Sequence, residues 1–399
     1  MAQTTCSVGT FRTTEKIRQY VNRVLDTERI SYGPMSRELE QRFSRLHGCD
    51  FGVLSNSGTS SLQVALQALE WQRGGKWGFC GREVIVPAVT FVATANVVIH
   101  NNLNPVFVDV DPDYYEIDPQ KIEDAITTDT VAIIPVHLFG QPCNMAEIMD
   151  IAKRHNLAVI EDSCESMFVG YDSKPVGSWG DIGCFSFYVA HLLTAGVGGM
   201  GTTNDPDLAA KMRSLVNHGR DGIYISIDDD AASGDALKEI VSKRFRFEAL
   251  GHSYRITEFE AAVALAQLDD WGDIIASRQL NAAYLTRHLR RLEEEGKIKL
   301  PALRPNARHA FMMYPIVVQH EDKWGLCNYL ESNGVETREM LPLINQPVYK
   351  GWVDADERFP VAEFINSNGF YVGCHQDMLP QDLDKIVYTI STYFDEVQL

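Results

Sequence analysis

Short apolar runs alternate with longer segments of helical period from about residue 51 to residue 216. Runs at 51–54, 83–87, 105–110, 131–136, 158–160, 183–187 and 199–203 read as buried strands. Residues 59–69, 92–100 and 145–156 read as helices between them, and Asp205-Pro206 supplies an N-cap and first-turn proline for a helix through residue 216. Strands joined through helices run parallel, and a parallel sheet needs cover on both faces. The pattern therefore predicts an α/β fold, a mostly parallel sheet between helical layers. A loop rich in Gly, Ser and Asp is expected at 222–235, then helices at 258–268 and through 278–295. Further on, strands at 312–318 and 369–372 mix with helices at 323–333 and 380–394, which reads as a smaller α+β unit. The expected division is a large domain over 1–270 and a small one over 271–399.

A net charge of −18 argues against nucleic acid as a partner, because neutralising phosphates needs a basic face. It leaves room for a small phosphorylated ligand held by local donors. No apolar run approaches the ~20 residues that cross a bilayer. The start, Met1-Ala2-Gln3-Thr4-Thr5-Cys6, lacks a charged leader ahead of an apolar core, so a cytoplasmic protein with no membrane partner is expected. Eight scattered cysteines without a CxxC unit suggest reduced thiols and no metal site. Asp228-Asp229-Asp230 lacks the alternating ligands and glycine of a calcium loop and reads as solvated.

Asn56-Ser57-Gly58-Thr59-Ser60-Ser61 joins a strand to a helix, where free N–H groups and hydroxyls make either an anion site or a simple cap. Glu161-Asp162 ends the run at 158–160, and ligands of open α/β sheets bind at the carboxyl ends of parallel strands. A carboxylate there could pair with a protonated ring nitrogen or merely cap a helix. Phe91 could lie against an aromatic cofactor or belong to the core. Gly196-Val197-Gly198-Gly199-Met200-Gly201 formally matches GxGxxG, but strand-like residues follow it rather than a helix. The dinucleotide reading fails on that context.

In this order and spacing, the elements resemble the DegT/DnrJ-type sugar aminotransferase family of fold-type I pyridoxal phosphate (PLP) enzymes. Further carriers of the resemblance are Ile30-Ser31-Tyr32-Gly33-Pro34, Val108-Asp109-Val110-Asp111, Pro135-Val136-His137-Leu138-Phe139-Gly140 and Gly251-His252-Ser253-Tyr254-Arg255-Ile256-Thr257. The resemblance implies that Gly58, Thr59 and Ser186 hold the cofactor phosphate, that Asp162 pairs with the ring nitrogen, and that Phe91 stacks on the ring. Glu165 stands where a Gln or Asp usually reaches the phenolic oxygen. Ser253 replaces an asparagine that contacts the phosphate from the neighbouring subunit, so a homodimer with shared sites is implied.

The family's Schiff-base lysine lies five residues after the phosphate-binding serine, and five after Ser186 stands His191. Ser186-Phe187-Tyr188-Val189-Ala190-His191 resembles the Ser-Phe-Tyr-x-Ala-His segment of the sugar 3-dehydratases. Glu336-Thr337-Arg338 and Phe370-Tyr371-Val372-Gly373 resemble the same branch; Val197, where that branch usually has Glu, departs from it. The chain has no Cys-x-Cys unit, which speaks against the iron–sulfur branch and for regeneration by glutamate. The resemblance thus implies a 3-dehydratase of a nucleotide-linked 4-keto-6-deoxyhexose, using PLP or pyridoxamine phosphate bound noncovalently. L-glutamate would be the amino donor and His191 the catalytic base. Arg338 is a candidate for binding a carboxylate or substrate oxygen, or a structural arginine; His218 and Arg220 are candidates for the nucleotide-sugar site. An aminotransferase lacking the lysine, a non-catalytic PLP-binding partner subunit, and an enzyme of the same fold with a non-nucleotide substrate stand as alternatives.

Overall fold

The computed structural model describes residues 6–73, 81–221, 233–320, 323–341, 343–353 and 359–397. Asp228-Asp229-Asp230 and most of the expected 222–235 loop lie outside the described residues. In chain order the first strands are β1 (Phe51–Ser55), β2 (Glu83–Pro87), β3 (Asn104–Val108), β4 (Thr130–Ile133) and β5 (Ala158–Asp162). A two-residue hairpin, β6 (Gly170–Tyr171) and β7 (Lys174–Pro175), precedes β8 (Ile182–Ser186) and β9 (Gly199–Thr203). Seven of these form one sheet in the order β1-β9-β8-β5-β4-β2-β3. Its β3-β2-β4-β5-β8 portion is parallel, and β9 runs antiparallel to both neighbours. Strands β4, β5, β8 and β9 are buried along their whole length, as a sheet covered on both faces requires.

The reversal at β9 has a local cause. A parallel return needs a crossover, usually helical, whereas residues 187–198 fold back on themselves through His191 N–H to the Tyr188 carbonyl (2.9 Å) and Ala195 N–H to the Phe187 carbonyl (2.8 Å). A Cβ on Gly199 would lie 2.3 Å from the Ser57 carbonyl oxygen, so glycine lets β9 lie directly against the start of helix Gly58–Gln72. That close approach, rather than a dinucleotide, accounts for the glycine-rich run. The expected 131–136 strand stops at Ile133; beyond it only single ladder contacts persist, Ile134 N–H to the Ile85 carbonyl and a bridge from Val136 to Asp162.

Five α-helices were not expected from the sequence: Glu15–Thr27, Pro34–Leu46, Pro119–Ala125, Gly234–Lys243 and Pro360–Asn368. Helix Pro34–Leu46 has no side-chain cap from Gly33. Instead, the buried carboxylate of Glu258 accepts from the N–H groups of Gly33 (2.8 Å), Met35 (2.8 Å) and Ser36 (3.0 Å), and from the Ser36 hydroxyl. This places a negative charge where the helix start favours one. Glu258→Gln turns one acceptor into a donor facing N–H groups and is expected to cost about 2 kcal/mol, measurable as a lower denaturant midpoint with an unchanged slope.

The second sheet comprises β10 (Ile298–Lys299), β11 (Tyr314–Val318), β12 (Thr337–Glu339) and β13 (Gly369–Val372), antiparallel in the order β10-β11-β13-β12. With helices Lys323–Ser332 and Pro380–Thr392 it encloses a separate core that includes Ile316, Leu326, Val372 and Ile386. Helix Trp271–Glu294 joins the two cores: Ile274 and Ile275 pack in the first, Leu285 and Leu289 in the second. The division expected at 270/271 assigns the chain's start to the large unit, yet Cys6 packs in the second core and bridges to Val335. Among the described residues no helix is long and apolar enough to cross a membrane.

Candidate active site

Successive residues of a strand face opposite sides, and the end of β5 uses both. The Glu161 carboxylate points into the protein, accepting from the N–H groups of Gly177 (2.8 Å), Trp179 (2.7 Å) and Gly180 (2.9 Å). It also meets His137 Nε2 at 3.0 Å; because Cys143 N–H donates to His137 Nδ1, Nε2 is the nitrogen that donates to Glu161. Glu161 therefore fastens loops. Asp162 faces a cavity of about 450 Å³, whose wall also holds Ser57, Gly58, Thr59, Phe91, Glu165, Ser186 and His191. Six of the seven residues expected at a cofactor site, all but Ser253, thus share one cavity, together with the expected base. None of the described residues lining it is a lysine.

One end of this cavity suits an anion. The first N–H groups of helix Gly58–Gln72 have no helical partners, and Ser57 caps the helix by accepting from Ser60 N–H at 3.0 Å. A Cβ on Gly58 would sit 2.6 Å from Cys164 Sγ and 2.8 Å from Ser186 Cβ, so glycine is what lets the helix start meet the Ser186 hydroxyl. The floor is acidic. Asp162 accepts from the Thr94 hydroxyl (2.8 Å) and Cys164 N–H (3.2 Å), yet burial still raises its pKa above the ordinary carboxylate value. Burial pushes the neighbouring Glu165 up to about 7, although Phe139 N–H donates to one of its oxygens at 2.8 Å. A cationic ring nitrogen would relieve Asp162, and the 58% exposed Phe91 ring offers a flat surface at the mouth. The residues present therefore fit PLP: the helix start and Ser186 could hold a phosphate, and Asp162 could face a cationic ring nitrogen.

His191 is half-buried on the cavity wall, with Nδ1 3.2 Å from Met312 Sδ. Burial, and then the positive charge of Arg278, lower its pKa to about 4, so the imidazole is neutral at pH 7. Neutral imidazole is the form that can accept a proton.

The other expected residues lie elsewhere. Arg338 does not line this cavity; it lies in an adjoining cleft with Trp324 and pairs with Glu336, and Tyr371 belongs to both walls. Ser253 and His218 meet at the Arg255 guanidinium (3.2 and 3.3 Å). Arg220 stacks over Phe245 and Phe247 and donates to the Arg244 carbonyl. The cavity wall also includes Tyr371, singled out as part of the Phe370–Gly373 segment, and Val8 and Met312, which carried no chemical signal in the sequence.

A profile of the DegT/DnrJ/EryC1/StrS aminotransferase family matches residues 12–391. The chain is 34% identical over 375 residues to the GDP-perosamine synthase of Caulobacter vibrioides, covering 93% of each. It is 30% identical to the dTDP-4-dehydro-2,6-dideoxy-D-glucose 3-dehydratase of Saccharopolyspora spinosa, over 92% of this chain and 81% of that one. The solved aminotransferase of Psychrobacter cryohalolentis superimposes with a TM-score of 0.88 at 29% identity, over 99% of this chain and 100% of that one. The architecture is accordingly the fold-type I, aminotransferase-like arrangement that the sequence implied.

Proposed function

The chain belongs to the DegT/DnrJ/EryC1/StrS aminotransferase family, and from that premise we propose that it is a PLP-dependent 3-dehydratase of a nucleotide-linked 4-keto-6-deoxyhexose. The observation that carries this reading is a neutral histidine, His191, on a cofactor-sized cavity whose described lining contains no lysine. Lysine would hold the cofactor covalently. Imidazole can only move protons.

When bound, the cofactor supplies an electron sink beside the substrate. Asp162 holds the ring nitrogen in its protonated form. Glu165, with a pKa of about 7, holds or shares a proton at the phenolic oxygen. His191, neutral on the cavity wall, would take up a proton beside the bound cofactor and give it to the C3 oxygen of the sugar as that group leaves, one group serving as base and then acid. L-glutamate is the amino donor in this reading, with Arg338 offering forked donors to a carboxylate. A homodimer would bring Ser253, His218 and Arg220 of one copy toward the cavity of the other. The exposed Phe245 and Leu250 (80% and 94% exposed), in the same stretch of chain as Ser253, support such a partner surface. The GDP- and dTDP-linked sugars in the names of the two relatives support a nucleotide sugar.

The solved aminotransferase favours a second reading, transamination without the lysine. Incubation with a nucleotide-linked 4-keto-6-deoxy sugar and glutamate separates the two: dehydration releases ammonia and a 3-deoxy-4-keto product, whereas transamination yields a stable 4-amino sugar. No turnover with any such sugar would favour a non-catalytic partner subunit. The cofactor's attachment has its own test. Borohydride treatment of PLP-loaded protein is expected to leave the intact mass unchanged, and a reduced adduct on any lysine would overturn noncovalent binding.

A further inference from the structure

Helix Trp271–Glu294 buries Arg278 behind the cavity, and at 2% exposure it heads the largest fully buried side chains. Its Nε donates to Gln376 Oε1 (3.0 Å), and its Nη1 to the carbonyls of Phe311 (3.2 Å) and Met312 (2.8 Å). Among the described residues no carboxylate comes within ion-pair distance. A buried guanidinium without a counter-charge is unfavourable, and a neutral donor could satisfy two carbonyls as well. What sets this place apart is where those carbonyls lead. Phe311 has φ of +49°, a left-handed turn that an aromatic residue rarely adopts. The next residue, Met312, lines the cavity and puts its sulfur 3.2 Å from His191 Nδ1.

We propose that Arg278 is a positioning residue for His191: it holds the Phe311–Met312 turn on which the imidazole rests and sets behind that ring a positive charge with no carboxylate in ion-pair contact. The functional part of this rests on the reading of His191 as the base. The titratable groups around the ring are Asp162, Cys164 and Glu165 on the cavity floor, Tyr188 on its own loop, and Tyr371 on β13. Behind the wall lie His309, Cys374, His375 and Asp377. The guanidinium adds to burial in holding the ring neutral. The same imbalance pushes Arg278 itself down to about 10, by burial. An anionic ligand entering the cavity would offset the guanidinium's field, so the imidazole would gain basicity when substrate arrives.

The test reads the His191 ring by NMR titration of histidine-labelled, cofactor-free protein, the signal being assigned by its loss in His191→Asn. Gln376→Glu sets a carboxylate against Arg278 and leaves the arginine in place; it is expected to raise the His191 midpoint. Arg278→Met is expected to raise it further, by about one unit, and Arg278→Lys to return it toward the parent value. An unshifted midpoint in folded Gln376→Glu overturns the proposal whether or not Arg278→Met folds. Because the readout needs neither cofactor nor turnover, a shifted midpoint in a protein that forms no dehydration product supports Arg278's role and counts only against the proposed reaction.

Discussion

On the proposed reading, His191→Lys is expected to replace noncovalent cofactor binding by a covalent link, and to lower dehydration by about 10³-fold, the middle of the range for losing a positioned acid–base group. His191 sits in the loop between β8 and β9, fixed by its own N–H to the Tyr188 carbonyl, with its side chain on the cavity wall. A lysine grown from the same Cα projects an amine into a space where the described lining offers none. Burial and Arg278, which hold the imidazole neutral, would also depress the pKa of an amine there and leave more of it unprotonated and nucleophilic. The variant should therefore show an altered cofactor absorption band, and borohydride should now add the cofactor's mass to the protein. With keto sugar and glutamate, the product should shift from ammonia and a 3-deoxy sugar toward a 4-amino sugar. His191→Asn separates the two effects, losing dehydration without gaining a covalent link. Dehydration at the parent rate in either variant would remove His191 from the base role.

How much of this was legible in the sequence depended on whether the signal was local. Strand Gly199–Thr203 and helices Pro206–Val216 and Glu258–Leu268 match the expected bounds because their start signals are chemical: Asp205-Pro206 in one case, and Thr257 with Glu260 as a capping box in the other. Helix Pro34–Leu46 was missed because its cap comes from Glu258, over two hundred residues away. Proximity in the fold is invisible to a local reading. The cavity residues divide in the same way. Gly58, Asp162, Ser186 and His191 lie at strand ends and turns, where residue type implies chemistry. Met312 and Arg278 sat inside an apolar run and a helical pattern, and only packing reveals that one touches His191 and the other holds the first in place. Arg338 was read through its motif, and Glu336, two residues before it, holds its guanidinium in the cleft beyond Tyr371.

Asp162→Asn should weaken PLP binding by about 10²-fold, the scale of removing one partner from a buried charge pair at roughly 3 kcal/mol, and should lower turnover at least as much. Its effect on the cofactor-free fold should have the opposite sign. The folded-state pKa of Asp162 is raised above the unfolded value by burial. Its carboxyl is therefore least costly when protonated, and the ionised form costs stability as pH rises through the folded pKa. At pH 7 the free protein carries that cost. Asparagine carries no charge and can still accept from the Thr94 hydroxyl, giving up only the longer bond from Cys164 N–H (3.2 Å). Cofactor-free Asp162→Asn is thus expected to melt no lower than the parent at pH 8, with any advantage shrinking as the pH falls and the parent's carboxyl takes up its proton. Thermal melts of the free protein at several pH values, beside absorbance titrations with PLP, measure both arms. A variant that binds PLP as tightly as the parent would show that Asp162 is not the partner of the ring nitrogen. A variant less stable than the parent, by a margin that grows with pH, would show that the buried carboxylate is stabilised in the free protein and not waiting for a cation.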